Sequence, residues 1–236
     1  MRGKLKLLCL VWTIGLVGGL IFTALRITGR IKISGLSAKK LELDEGGLIL
    51  APNHPSLWEP AIMPFLFFPR YLFSLRFLPI SVVDKANYYN SKWFSPFRFA
   101  CLPVKRHEPR EEIRAAEAMI ALLKEGRPLI LYPEAGRTFK GEEFKCSASG
   151  KRIRCFPRGL RKLFMESGAT ILPIWTKGGD RIILNELAHS RFPHFTLPRI
   201  WRVTTVRLGD RLKVNGVPRN EIVARLEEVL LNLGEQ

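Results

Sequence analysis

The longest apolar run of the chain, Leu7 to Leu25, restricts its architecture more than any other feature, because it holds 19 consecutive residues without a charge. A helix of that length extends about 28 Å, which matches the hydrocarbon thickness of a bilayer. The apolar core of a cleaved signal peptide is shorter, about 7–15 residues, and ends in small residues. This run instead ends before two arginines, Arg26 and Arg30. We therefore expect residues 1–30 to form an uncleaved membrane anchor.

The sequence leaves the geometry of this anchor open. Basic residues flank both ends of the run, so the positive-inside rule gives no clear orientation. Three glycines within it, Gly15, Gly18 and Gly19, are expected to loosen a helix. A single span and a monotopic helix pair are both compatible with the pattern. In the pair, both basic flanks would face anionic headgroups on the same side.

The composition indicates one domain with a very basic surface. The chain has 236 residues, 47% of them hydrophobic, and a formal net charge of +17. This length suits one ordinary domain, and the hydrophobic share excludes wholesale disorder. The first 30 residues hold five of the 38 basic residues and no acidic one, so residues 31–236 keep a net charge of +12. An anionic membrane, a nucleic acid or an acidic protein could each balance that charge, and the apolar run favours the membrane over nucleic acid.

Strand-like and helix-like segments alternate along residues 31–236, after a strand and turn at 31–47 that link anchor and domain. Short apolar runs bounded by Gly or Pro predict buried strands at Leu48–Ala51, Ile80–Val83, Leu102–Val104, Leu129–Tyr132 and Thr170–Trp175. An alternating pattern predicts an edge strand within Trp201–Leu208. Helical length or periodicity predicts helices at Trp58–Phe68, Arg110–Glu125, Leu160–Glu166 and Glu221–Leu233. This order indicates the α/β class.

The four cysteines form no C-x-x-C pair, so a zinc site or any other metal centre is not expected. Cys146 and Cys155 could face each other across a hairpin. Since the N-terminal run does not resemble a cleaved signal, we expect reduced thiols and a catalytic domain on the cytoplasmic side of the membrane.

A histidine and a carboxylate follow the first buried strand. His54 and Glu59 are five residues apart, next to Asn53. An imidazole is a usable base near neutral pH, and a carboxylate on its second nitrogen fixes the tautomer and stabilises the imidazolium. The pair alone is a weak signal, because a loop histidine that serves structure gives the same spacing. The other histidines, His107, His189 and His194, are expected to be surface or loop residues.

Further blocks follow the later strands. Lys85 comes after the second strand, Lys105 and Arg106 after the third, and Pro133-Glu134-Ala135-Gly136-Arg137 after the fourth. Together with His54 and Glu59, these ordered blocks resemble the glycerolipid acyltransferase family, which includes the 1-acylglycerol-3-phosphate acyltransferases. The family's motifs are N-H-x-x-x-x-D, an Arg after a short strand, F-P-E-G-T-R and a strand of the form I-V-P-V. The resemblance covers roughly residues 46–175.

The chain departs from the family pattern at three places. Glu59 stands where the family usually has Asp. The late acyltransferases of lipid A synthesis resemble this chain in having Glu at that position. Ala135 and Gly136 replace Gly-Thr, which removes a hydroxyl near the anion site. Residues 140–157 look like an inserted basic hairpin.

The resemblance implies a single mixed-sheet α/β acyltransferase domain over residues 31–236, with His54 as base and Glu59 as its partner. It implies that Arg137, Arg106 and Lys105 bind the acceptor phosphate and that Glu134 orients Arg137 or an acceptor hydroxyl. Asn53, Gly136 and Lys85 would support the acceptor or the structure. Ser56 has no oxyanion motif beside it, so direct transfer is favoured over an acyl-enzyme.

The implied function is a membrane-associated O-acyltransferase of phospholipid synthesis. It would move an acyl group from an acyl carrier protein thioester or acyl-coenzyme A to a lysophospholipid such as 1-acylglycerol-3-phosphate, without a cofactor. Other acceptors remain open, including a lipid A precursor, a lyso-ornithine lipid or another lysolipid. A catalytically silent membrane-binding member of the family is a further alternative.

Overall fold

The structure is a computed structural model that describes residues 2–106, 108–183, 198–214 and 216–236. His107, His189 and His194, expected to be surface or loop histidines, lie outside the described residues.

A seven-stranded mixed sheet forms the centre of the domain. Its order is β1-β9-β8-β2-β5-β3-β4, and all neighbours are parallel except β8 and β9, which are antiparallel. Two further strands, β6 and β7, form a separate antiparallel hairpin. The strands are β1 Ile31–Ser34, β2 Leu48–Pro52, β3 Ile80–Asp84, β4 Cys101–Val104, β5 Pro128–Ile130, β6 Phe144–Cys146, β7 Arg152–Arg154, β8 Thr170–Lys177 and β9 Thr204–Leu208. The α/β class with a mixed sheet is confirmed.

Helices cover both faces of this sheet. They are α1 Arg2–Leu10, α2 Leu16–Ile27, α3 Trp58–Ile62, α4 Arg70–Phe73, α5 Pro109–Lys124, α6 Leu160–Ser167 and α7 Ile222–Glu235. Strand β2 is buried throughout, and its side chains alternate between two cores. Ile49 and Ala51 pack with α5, α6 and α7, whereas Leu48 and Leu50 pack with α3, α4 and the N-terminal helices.

One expectation about the edge of the sheet is wrong. Strand β9 is not an edge strand, because β1 pairs with it on one side and β8 on the other. The strand expected within residues 31–47 is present as β1, and it is the outermost strand of the sheet. Alternation along β9 arises because Thr204, Val206 and Leu208 are buried while the residues between them are half-exposed.

The N-terminal segment forms one continuous helix rather than a helix pair. A π-helical turn, Val11–Gly15, joins α1 to α2 without a break. By length and composition the part Leu5–Ile27 could cross a membrane, and it is the only such helix among the described residues. That criterion is weak evidence for membrane association, since core helices and signal sequences also satisfy it.

The sequence suggested that the glycines of this helix loosen it. In the structure they instead let the helix pack closely on the domain. A Cβ atom at Gly18 would overlap the ring of Phe65, and one at Gly19 would overlap the ring of Phe68. Beside them, the hydroxyl of Tyr71 donates a hydrogen bond of 2.8 Å to the carbonyl of Gly15 in the π-helical turn. One face of the helix is therefore fixed against the α3–α4 region.

The inserted segment forms the β6–β7 hairpin, which is held by α7. The buried carboxylate of Glu227 accepts hydrogen bonds from Lys145 Nζ, at 2.6 Å, and from the backbone N–H of Phe156, at 2.8 Å. The register places Cys146 opposite Arg152, so Cys146 and Cys155 do not face each other, and both thiols are free.

Candidate active site

The polar blocks found in the sequence meet at one edge of the sheet. His54 follows β2, Glu134 and Arg137 follow β5, Asp84 ends β3, and Arg106 follows β4. These four strands are adjacent and parallel, in the order β2-β5-β3-β4. Their carboxyl ends therefore point the same way, which is where ligands bind in open parallel sheets.

The predicted His54–Glu59 pair is brought together, but its two side chains do not form a hydrogen bond. Nδ1 of His54 lies 3.8 Å from Oε2 of Glu59, beyond hydrogen-bond distance. The Glu59 side chain is fully buried, whereas that of His54 is 13% exposed. Glu59 is held by Ser56, whose backbone N–H donates at 2.9 Å and whose hydroxyl donates at 3.0 Å. The carboxylate thus faces the imidazole from a fixed position.

Two buried polar atoms beside this carboxylate have no hydrogen-bond partner among the described residues. They are Nδ1 of His54 and the hydroxyl of Tyr132. The ring of Tyr132 stacks on the imidazole, with centroids 4.2 Å apart and planes tilted by 34°. Burial raises the pKa of Tyr132 well above its usual value, and the charge of Glu59 raises it further. The tyrosine is therefore neutral and packs the histidine from one side.

Glu134 holds the walls of the site in place. One of its carboxylate oxygens accepts the backbone N–H of His54 at 2.7 Å and the hydroxyl of Thr138 at 2.9 Å. The other accepts the backbone N–H of Arg154, in the hairpin, at 3.0 Å. Burial raises the pKa of Glu134, and these hydrogen bonds oppose that rise.

The prediction that Glu134 takes part in acceptor binding stays a prediction, because its contacts in the structure are to the protein itself. Its side chain is buried and its hydrogen bonds run to backbone and to Thr138, not to Arg137. A buried carboxylate with these hydrogen bonds is poorly suited to contact an anionic phosphate. Glu134 positions His54 and the loop that carries Arg137.

The predicted phosphate-binding residues differ in how free their charges are. Arg106 lies 3.1 Å from Asp84, with Nε toward Oδ2, and Lys105 pairs with Glu108. The Arg137 guanidinium lies 5.0 Å from the centroid of the Phe139 ring. Among the described residues, no carboxylate lies within ion-pair distance of Arg137.

A tyrosine after β3 belongs to the same neighbourhood. Burial raises the pKa of Tyr88, and the charges of Arg137, Asp84 and Arg106 also act on it. Tyr88 occurs in no motif, so no sequence pattern distinguishes it as a candidate residue of this site.

The remaining predicted residues have structural surroundings. The side chain of Asn53 joins β2 to β8: its Oδ1 accepts the Thr176 N–H at 2.6 Å, and its Nδ2 donates to the Thr176 carbonyl at 3.1 Å. Lys85 follows Asp84 and is half-buried at the start of a π-helical turn, Lys85–Tyr89. Among the described residues, no group of three or more His, Cys, Asp or Glu could hold a metal ion.

Arg154 is a site residue that the sequence did not single out. Its guanidinium reaches over Gly136 toward Arg106, although it lies in the inserted hairpin. In the sequence it is one of several bases between Lys151 and Lys162, and nothing in the pattern distinguishes it from the others.

The fold and the site define an α/β protein in which a histidine–carboxylate pair and a cluster of guanidinium groups lie at the same edge of the sheet. The sequence model of the Acyltransferase family matches residues 30–177, more than half of the chain. This chain belongs to the glycerolipid acyltransferase family.

A solved structure has the same fold. It is the 1-acyl-sn-glycerophosphate (LPA) acyltransferase PlsC from Thermotoga maritima, which aligns with a TM-score of 0.61 and 16% sequence identity. The alignment covers 100% of this chain and 82% of that one. At this identity the likeness shows the fold alone. Among curated protein sequences, none matches this chain significantly.

Proposed function

We propose that this acyltransferase is membrane-associated and acylates the free hydroxyl of a lysophospholipid with a phosphate monoester headgroup, such as 1-acylglycerol-3-phosphate. One observation carries the proposal: the sheet brings His54 and Glu59 to the same edge as Arg106 and Arg137. A base and an anion site so placed can hold a hydroxyl and a phosphate of one small headgroup together. The PlsC structure, titled as an LPA acyltransferase, supports the same acceptor class.

The chemistry is a direct transfer. Nδ1 of His54 faces Glu59, so Nε2 is the nitrogen that accepts the proton of the acceptor hydroxyl. The hydroxyl oxygen attacks the thioester carbonyl, the C–S bond breaks, and the thiolate takes the proton from the imidazolium. Glu59 stabilises that imidazolium, and its separation from Nδ1 shortens in the working complex, because catalytic hydrogen bonds are often long without substrate.

Ser56 is a poor candidate for an acyl-enzyme nucleophile. Its hydroxyl is fully buried and donates to Glu59, while it accepts the N–H of Trp58 at 3.0 Å. Its one donated proton therefore goes to the carboxylate, which this hydrogen bond holds in place. This favours attack by the acceptor hydroxyl itself on an acyl carrier protein thioester or acyl-coenzyme A.

The membrane association rests on the exposed side of the N-terminal helix. Leu5, Val17, Leu20 and Ile21 are each more than half exposed there. The four free cysteines fit a catalytic domain in the reducing cytoplasm. A lysolipid acceptor leaves the bilayer at a cost of about 0.8 kcal/mol per CH₂, so an enzyme seated on the membrane avoids that cost.

The proposal is tested by incubating the purified protein with a panel of lysolipid acceptors and both donor types, and by reading the products by mass spectrometry. We expect acylation of 1-acylglycerol-3-phosphate. The His54→Ala variant should lose transfer while its circular dichroism and vesicle binding stay unchanged. Glu59→Asp should keep partial activity, and Glu59→Gln less. Wild-type turnover in His54→Ala, or transfer only to acceptors without phosphate, would contradict the proposal.

A further inference from the structure

Two departures from the family pattern meet at one point of the structure. Gly136 stands where the family has Thr, and the inserted hairpin passes directly above it. We propose that Arg154, carried by strand β7, is the third guanidinium of the acceptor site and gives the enzyme its preference for a phosphate monoester headgroup. This inference rests on the proposed function and assigns a specificity residue within that same site.

The side chain of Arg154 occupies the space that a residue larger than glycine would need. A Cβ atom at Gly136 would overlap the Arg154 guanidinium and would lie 3.8 Å from Nη1 of Arg106. A Cβ atom at Gly141 would lie 2.8 Å from Nε of Arg154. A side chain at either position would therefore have to displace the side chain of Arg154. The replacement of the family's threonine by Gly136 and the presence of Arg154 in the inserted hairpin are therefore sterically linked.

The hairpin holds this arginine firmly. The backbone N–H of Arg154 donates to Glu134, the same carboxylate that accepts the N–H of His54. On its other side the hairpin is fixed to α7, since Glu227 accepts from Lys145 and from the N–H of Phe156. The backbone of Arg154 is thus tied through one shared carboxylate to the loop that carries His54.

The positive charges around Arg154 favour the binding of a doubly charged anion. Among the described residues, no carboxylate lies within ion-pair distance of Arg154 or Arg137, and only Arg106 has a partner, Asp84. Guanidinium groups bind phosphate well because their donors match its oxygen atoms. A phosphate monoester carries a charge of about −1.5 to −2 near neutral pH, whereas a diester carries one negative charge. An additional guanidinium therefore favours the monoester.

Phosphate at this cluster could come from the lipid acceptor or from coenzyme A, and kinetics separates the two sources. In Arg154→Ala we expect the KM for 1-acylglycerol-3-phosphate to rise about 10- to 100-fold, as for the loss of a charge-assisted contact. The donor KM and kcat should change less than about twofold. Activity on a lysophospholipid with a diester headgroup, such as lysophosphatidylglycerol, should hardly change. The variant should therefore lose its preference for the monoester over the diester acceptor. Arg154→Lys should restore part of it.

The matched control is Arg152→Ala in the same strand. The Arg152 guanidinium lies 4.9 Å from the centroid of the Phe144 ring on the hairpin, so its loss removes a charge from β7 without touching the site. It should leave the acceptor KM unchanged. An equal effect of Arg152→Ala would reduce the inference to general surface charge. A rise in the donor KM alone would assign Arg154 to the donor, and an equal loss with every acceptor would make its role structural.

A second variant tests the steric link. Gly136→Ala should displace the guanidinium and raise the acceptor KM as Arg154→Ala does. Adding it to Arg154→Ala should then cost little, because no guanidinium is left to displace. Additive losses would contradict the link.

Binding without donor keeps this inference separable from the proposed function. Titration of a short-chain 1-acylglycerol-3-phosphate into wild-type and Arg154→Ala protein measures the anion site directly. Weaker binding by the variant alongside an inactive wild-type protein would support the site and overturn acyl transfer. Equal binding by both proteins would overturn the role of Arg154 whatever the activity.

Discussion

Glu59 is one methylene longer than the aspartate usual at its position in the family, and a glycine makes room for it. A Cβ atom at Gly179, just beyond β8, would overlap the Glu59 carboxylate and approach the Ser56 hydroxyl to 2.7 Å. The longer side chain is thus accommodated by the absence of a side chain on the neighbouring segment. In the same way, Gly136 leaves room for the side chain of Arg154. In both cases the glycine and the larger side chain are distant in sequence.

Tyr132 provides a prediction at the level of one atom. Its buried hydroxyl has no hydrogen-bond partner in the part of the chain that the structure describes, and leaving such a group unpaired costs about 1–3 kcal/mol. Tyr132→Phe keeps the ring that stacks on His54 and removes the hydroxyl, which restores the family's usual residue. We expect the free energy of unfolding to rise by about 1 kcal/mol, measured by urea denaturation, with acyl transfer kept within about threefold. A tenfold loss of activity would instead give the hydroxyl a part in the His54–Glu59 pair.

The sequence located the candidate base and guanidinium groups but not what holds them. His54, Glu59 and Arg137 stand out because polar residues follow apolar strands in a known order, and their catalytic roles stay predictions. The role of Glu134 was missed, since its partners lie 80 residues before it, at His54, and 20 residues after it, at Arg154. Local patterns carry no information on such distant hydrogen bonds.

Among the elements, buried strands and long helices were the most predictable. The run Leu48–Ala51 is apolar on both faces, which only a central strand requires, and it became β2. By contrast, the sequence predicts a strand within residues 31–47 but not that this strand, β1 at Ile31–Ser34, belongs to the main sheet. Its place in the sheet depends on parallel pairing with β9, more than 170 residues later. Strand order at an edge is a tertiary property, so periodicity along β9 could not reveal it.

The contact of the N-terminal helix with the domain gives a prediction in which two effects oppose each other. Helix propensity alone favours Ala over Gly by about 1 kcal/mol. At Gly19, however, an added methyl would overlap the ring of Phe68, and overpacking costs about 1–3 kcal/mol. We expect Gly19→Ala to loosen the helix, so that limited proteolysis in detergent cleaves residues 2–27 faster. Ala24→Val, on the exposed side of α2, is the control and should not change the rate. Slower cleavage of Gly19→Ala would show that the glycine contact does not hold the helix.

At the scale of the whole molecule, the N-terminal helix packs along the domain, whereas its length alone also allowed a single span across the bilayer. One face carries Val11 and Phe22, which are buried against the domain, so that face is not available to lipid. The opposite face is apolar and exposed, and it continues onto Phe73 of α4, where Trp12 packs edge-on at a centroid distance of 6.3 Å. A helix that lies along its own domain with an apolar outer face is suited to lie in one leaflet of an anionic membrane, with the basic flanks at its surface.

This arrangement predicts that the outer face, rather than the whole segment, controls membrane binding. Val17, Leu20 and Ile21 lie on one side of α2, three and four residues apart, and each is at least 55% exposed. Replacing all three by serine leaves the glycine contacts intact, so the domain should stay folded. Each loss removes about 1.5 kcal/mol or more of apolar transfer free energy, which together lowers partitioning about a thousandfold. We expect the triple variant to leave phosphatidylglycerol-containing vesicles in high salt, measured by co-sedimentation, while wild-type protein stays bound.

Ile113→Ser, which changes an equally exposed isoleucine on α5 across the sheet, should bind as wild type does. If the triple variant stays bound in high salt, the outer face of the helix is not the main anchor, and the exposed Phe73 and Phe97 become the residues to replace next.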